Sequence, residues 1–105
     1  MSYVRACALS ALQEDVPKKV ELNGVPVAVV RTDEGVFAIN DTCSHANVSL
    51  SEGEVEDCMI ECWLHGSSFD LRTGKPSGLP ATRPVAVYPV KIEGDDVLVS
   101  VNQEN

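Results

Sequence analysis

The stretch Cys43-Ser44-His45, followed after sixteen residues by Cys62-Trp63-Leu64-His65, uses both histidines of the 105-residue chain and two of its four cysteines. Thiolate suits iron-sulfur and zinc centres and imidazole suits zinc, copper or iron, so the four residues pose a question of metal chemistry. A zinc finger or ribbon brings its cysteines as one close pair and its histidines as another, or uses four cysteines in two pairs. Here each short segment pairs one cysteine with one histidine. Two such segments can give both thiolates to one iron and both imidazoles to a second. Buried thiols and satisfied core histidines, the bland alternative, would leave the matched spacing a coincidence.

Outward from this stretch, residues Asp41 to Pro84 carry only short strand-like runs, Met59 to Cys62 and Ser68 to Leu71, between Gly, Ser, Pro and acidic residues. Longer strands flank them. Lys19 to Leu22 and Val25 to Thr32 are joined by Asn23-Gly24, a strong signal for a tight hairpin. Asp33-Glu34-Gly35 then turns the chain into Val36 to Ile39, and Tyr3 to Leu9 reads as a further strand. Ser10 to Gln13 fits a capping box, although Pro17 limits it to a connector of about one or two turns. Val85 to Ile92, the turn Glu93 to Asp96, and Val97 to Val101 read as strand, turn and strand. The expectation is an all-β chain of one domain, 1–105: an antiparallel β-sandwich base, 1–40 and 85–105, with a loop-rich subdomain inserted at about 41–84.

The pattern C-x-H, sixteen residues, C-x-x-H resembles the signature of the Rieske family. His45 to Val55 and Cys62 to Gly74 are similar to the two cluster loops of ferredoxins that serve ring-hydroxylating oxygenases, and Ser77 to Ala81 to the proline loop covering the cluster. The match spans about Asp41 to Pro84. It implies the Rieske fold and one [2Fe-2S] cluster per chain, held by Cys43, His45, Cys62 and His65. Respiratory members of the family add a disulfide-forming cysteine in each loop; Val48 and Leu64 stand there in this chain, and Phe69 stands where that branch has a tyrosine. The ferredoxin branch is therefore favoured, and with it a low reduction potential, which a Ser67 hydroxyl reaching a bridging sulfide would raise somewhat. The implied role is that of an electron carrier, not an enzyme, taking single electrons from a flavoprotein reductase to a terminal non-haem iron oxygenase. The alternatives are a regulatory or iron-sulfur-assembly protein, or the small subunit of a nitrite reductase, a relative that often lacks the ligands.

Composition narrows the partners. A net charge of -8 argues against a nucleic-acid surface and favours a basic protein partner. Glu52, Glu54, Glu56, Asp57 and Glu61 concentrate acid between the ligand segments, either as a solvated face or as a steering one. No apolar run approaches the roughly 20 residues a spanning helix requires, and Met1 to Arg5 begins no signal peptide, so a soluble, cytoplasmic monomer with no membrane contact is expected. Cys7 and Cys58, both on expected strands, read as small buried hydrophobes. Trp63 either shields the cluster or stands exposed as a partner contact. Gly66, Gly74 and Gly78 read as turn residues, with Gly66 beside His65 also able to let a backbone N–H approach a sulfur.

Overall fold

The longest strand, β3 (Val25–Thr32), is apolar on both of its faces, and Val27, Ala28, Val29 and Val30 are all fully buried. Successive side chains on a strand point to opposite sides, so β3 divides the interior in two. Ala28 and Val30 enter one core cluster, Val27 and Val29 the other. Each fully buried valine contributes roughly 1.5–3 kcal/mol relative to exposure, which places much of the stability on this strand. The computed structural model describes residues 3–43, 48–63, 67–77 and 83–101.

Around β3 a four-stranded antiparallel sheet forms in the order β2 (Lys18–Leu22), β3, β4 (Gly35–Asn40), β8 (Val87–Tyr88). The β2–β3 hairpin turns on Asn23 and Gly24, with φ of 53° and 82°, the positive values that this two-residue turn needs. A second sheet has the order β1 (Val4–Ala8), β10 (Asp96–Val99), β9 (Val90–Glu93). The third is small: β5 (Val55–Glu56), β6 (Met59–Glu61), β7 (Ser68–Asp70). The four-stranded sheet is the middle layer. One face packs Val27, Val29 and Tyr88 with Cys7, Val97 and Val99; the other packs Ala28, Val30 and Ile39 with Leu50, Ile60 and Phe69. No helix among the described residues is long and apolar enough to cross a membrane.

Three local expectations need correction. The run Val85 to Ile92 is two strands: Val87–Tyr88 pairs with β4, whereas Val90–Glu93 pairs with β10. Pro89 between them has no N–H to give to a ladder, and its carbonyl accepts the Ser100 N–H at 3.1 Å, so the chain changes sheets there. Ser10 caps nothing. It lies inside a single 3-10 turn, Leu9–Ala11, and both its N–H and its hydroxyl donate to the Asp95 carboxylate, at 3.0 and 2.9 Å. Cys58 is off the strand: with Asp57 it forms the two-residue turn between β5 and β6, at φ of 61° and 55°.

Candidate metal centre

Strand β4 delivers the chain through Asp41 and Thr42 to Cys43, whose N–H donates to the Val48 carbonyl at 3.0 Å. Cys62 follows β6 directly, and its N–H donates to the Ser67 carbonyl at 2.6 Å. Both cysteines therefore open a loop that closes on the carbonyl five residues later. Pairing of Thr42 with Ser49 holds the neck of the first loop, and pairing of Glu61 with Ser68 holds that of the second. Cys43 and Cys62 are 3% and 0% exposed and share one cluster with Leu50, Ile60, Phe69 and Leu71. Ser67 is buried too, and Val48 packs against the cluster from its edge. His45 and His65, together with Leu64, Gly66, Gly78, Pro80 and Ala81, lie outside the described residues.

The other two thiols differ. Burial pushes the Cys7 thiol above its ordinary pKa, and Cys7 belongs to the opposite core, across the four-stranded sheet. Burial likewise raises Cys58, against a hydrogen bond with Thr32 that pulls it down. Both thiols are buried, Cys7 at 6% and Cys58 at 3% exposure, as small core residues are.

Trp63, next to Cys62, is 50% exposed, so half of its surface is open to solvent. On the small sheet Val55, Ile60 and Phe69 point inward in register, which leaves the alternate row outside. There Glu54, Glu56, Asp57 and Glu61 line an open groove beside Met59 and Ser68. Among the described residues no cation pairs with these four acids.

Arg72 ties this sheet to the middle one. Its Nε and Nη2 donate to the two Asp70 oxygens at 3.0 and 3.1 Å, and its Nη1 donates to Glu34 in the β3–β4 turn at 3.2 Å. The guanidinium hydrogen bonds hold the Asp70 carboxyl below the usual carboxylate range. A depressed folded-state pKa adds stability that is present above the unfolded value and is lost as pH falls through the folded one. In Arg72→Ala, carboxyl NMR titration should find the Asp70 midpoint raised toward the ordinary range, with the backbone N–H bonds still holding part of the shift, and the acid limb of the stability curve should lose the guanidinium's contribution. An unmoved Asp70 midpoint would show that the guanidinium is not the cause.

Two residues with no obvious sequence signal shape the site. Gly53 packs so tightly against the Glu61 carbonyl that a Cβ there would overlap its oxygen. Asp41 is buried with its carboxylate on the Ser51 N–H. Gly74 is a turn residue as expected, at φ 79° against the Val85 carbonyl.

Two buried thiols on loops closed in the same way, in an apolar surrounding, fit a pair of thiolates on one iron. Residues 2–89 match the Rieske [2Fe-2S] domain. The chain belongs to that family. It is 40% identical over 102 residues to the 3-phenylpropionate/cinnamic acid dioxygenase ferredoxin subunit of Escherichia coli, covering 96% of this chain and 95% of that protein. Its fold superposes on the ferredoxin of carbazole 1,9a-dioxygenase from Nocardioides aromaticivorans with a TM-score of 0.91, at 39% identity over 95% of this chain and 98% of that one. A ferredoxin-containing structure described as the complex of reduced oxygenase and oxidized ferredoxin in carbazole 1,9a-dioxygenase matches with a TM-score of 0.86, at 36% identity, covering 92% of this chain and all of that one. One Rieske cluster per chain is the cofactor, and the Rieske chain acts as an electron-carrying component and not as the catalyst.

Proposed function

We propose that Cys43 and Cys62 supply the thiolates and His45 and His65 the imidazoles of the cluster. The domain 1–105 would carry them on a part, about 41–84, inserted between 1–40 and 85–105. The matched closure of the two cysteine loops supports this most directly, because it gives each loop one thiolate and, two or three residues on, one imidazole. When bound, the cluster supplies a one-electron couple. The polypeptide fixes the ligands, excludes water from the sulfurs with Leu50, Ile60 and Phe69, and leaves Trp63 and the acid row of the small sheet facing outward.

In this reading the protein is a cytoplasmic monomer that takes electrons from a flavoprotein reductase and gives them to a terminal non-haem iron oxygenase. The likeness to named dioxygenase ferredoxins over nearly the whole chain supports it above an assembly-linked or nitrite reductase role. The acidic outer face and the net charge of -8 make the docking partner basic.

Stopped-flow mixing of the dithionite-reduced protein with a terminal non-haem iron oxygenase of the ring-hydroxylating kind, and separately with a sirohaem reductase, tests the assignment. One electron per chain should pass, and the rate should fall about tenfold as ionic strength rises, since electrostatic steering fades while the Debye length drops from ~30 Å at 0.01 M to ~8 Å at 0.15 M. A flat rate would rule out steering by this face. Transfer to a sirohaem reductase but to no oxygenase would move the assignment to nitrite reduction.

A further inference from the structure

Asp41 follows β4 and stands two residues before Cys43, and it is 1% exposed, the most buried ionisable oxygen acid among the described residues. Its polar atoms are all engaged. The N–H donates to the Pro26 carbonyl at 3.0 Å, the carbonyl accepts the Leu50 N–H at 2.6 Å, and Oδ1 accepts the Ser51 N–H at 2.9 Å. One residue thus pins both ends of the segment 41–51, inside which Cys43 and Val48 close the first loop. The remaining oxygen, Oδ2, faces the Lys19 Nζ at 3.9 Å, and that lysine is half exposed.

Pinning a loop needs no charge. Next door, Asn40 does comparable work with a neutral amide, its Oδ1 accepting the Thr42 N–H at 2.9 Å. An asparagine at position 41 would keep an acceptor for Ser51. The carboxylate adds a negative charge sheltered from water, opposed by one ammonium that solvent screens. Two residues of chain reach at most about 7 Å, so this charge lies close to the Cys43 end of the site.

We infer that Asp41 is a positioning residue that also sets the reduction potential: its buried carboxylate disfavours an electron added to the cluster that Cys43 would help to hold, and Lys19 offsets part of that effect. The inference rests on Cys43 being a ligand. Coulomb's law over roughly 10 Å at an effective dielectric of ~20 gives about a tenfold effect on the reduction equilibrium.

The test is protein-film voltammetry of the cluster-loaded protein at low ionic strength, with EPR of each reduced sample. Asp41→Asn should shift the equilibrium about tenfold toward the reduced form, a rise of about 59 mV for one electron. Lys19→Gln should lower the potential by less, and the shift should vanish as salt is added. Lys91→Gln, on β9 of the far sheet, is the control that should change nothing. An intact Rieske EPR signal with an unchanged potential in Asp41→Asn would overturn the inference. Should Asp41→Asn take up no cluster, Lys19→Gln decides: a fall at low salt supports the role and an unmoved potential removes it. Absence of the Rieske signal from the wild type would instead refute the ligand assignment.

Discussion

Alanine in place of Cys62 or of His45 is expected to abolish the Rieske EPR signal of the dithionite-reduced protein, whereas Cys7→Ser and Cys58→Ser should retain it. The signal is one whose average g falls below the free-electron value. Cys62 is wholly buried and sits at the mouth of a loop closed by its own N–H, so no water or neighbouring side chain can substitute for its sulfur. Metal binding is coupled to folding, and removing a ligand removes both the cluster and the stability its binding confers. The Cys62→Ala protein should therefore also melt lower than the wild type. Cys7 cannot compensate, because the four-stranded sheet separates its core from that of Cys43 and Cys62. Cys58 shares their core but occupies the turn between β5 and β6, where its thiol is engaged by Thr32. Iron and sulfide analysis beside EPR checks all four variants. A surviving signal in Cys62→Ala, or a lost one in Cys58→Ser, would require the thiolates to be reassigned.

What sequence reveals here is local chemistry with a fixed geometric demand. Asn23-Gly24 announces its hairpin because few residue pairs accept two successive positive φ values, and the structure has those values there. The alternation of Cys and His announces a mixed-ligand metal site because each type constrains the metal. What stays hidden depends on distant backbone. Asp57-Cys58 makes the same kind of turn as Asn23-Gly24, yet cysteine is no turn former. It is held at positive φ because its thiol is buried against Thr32 and its carbonyl accepts the Leu71 N–H at 3.0 Å. The break at Pro89 is legible as a missing donor, but that its two sides join different sheets follows only from where β4 and β10 lie. Trp63 is undecided in sequence because its exposure is set by the path of the loop after β6, and the roles of Asp41 and Gly53 depend on N–H and carbonyl groups eight to ten residues away.

Gly53→Ala should then be among the most damaging single substitutions in the chain. Its backbone, at φ -90°, is open to any residue, so the demand for glycine is one of space. A Cβ at this position would overlap the Glu61 carbonyl oxygen and lie 2.9 Å from its carbon. That carbonyl has little freedom to retreat: the Glu61 N–H donates to the Glu54 carbonyl at 2.8 Å, and Glu61 pairs with Ser68 across β6 and β7. Nor can Gly53 withdraw easily, since its own N–H donates to Leu50 at 2.9 Å. Relief must come from moving the peptide between Glu61 and Cys62, and with it the thiolate. Overpacking of this kind costs about 1–3 kcal/mol, and sometimes more. For a domain near this size each kcal/mol lowers Tm by roughly 4–8 °C. Gly24→Ala separates the steric effect from a conformational one. Its φ is 82° and nothing lies within 4 Å of the added Cβ, so it should cost about 1–2 kcal/mol through the backbone alone. Thermal unfolding should thus report a loss in both variants, while EPR should report reduced occupancy or displaced g-values only in Gly53→Ala. An alanine at 53 that preserves wild-type stability and spectrum would show that the Glu61 peptide is free to move without carrying Cys62 along.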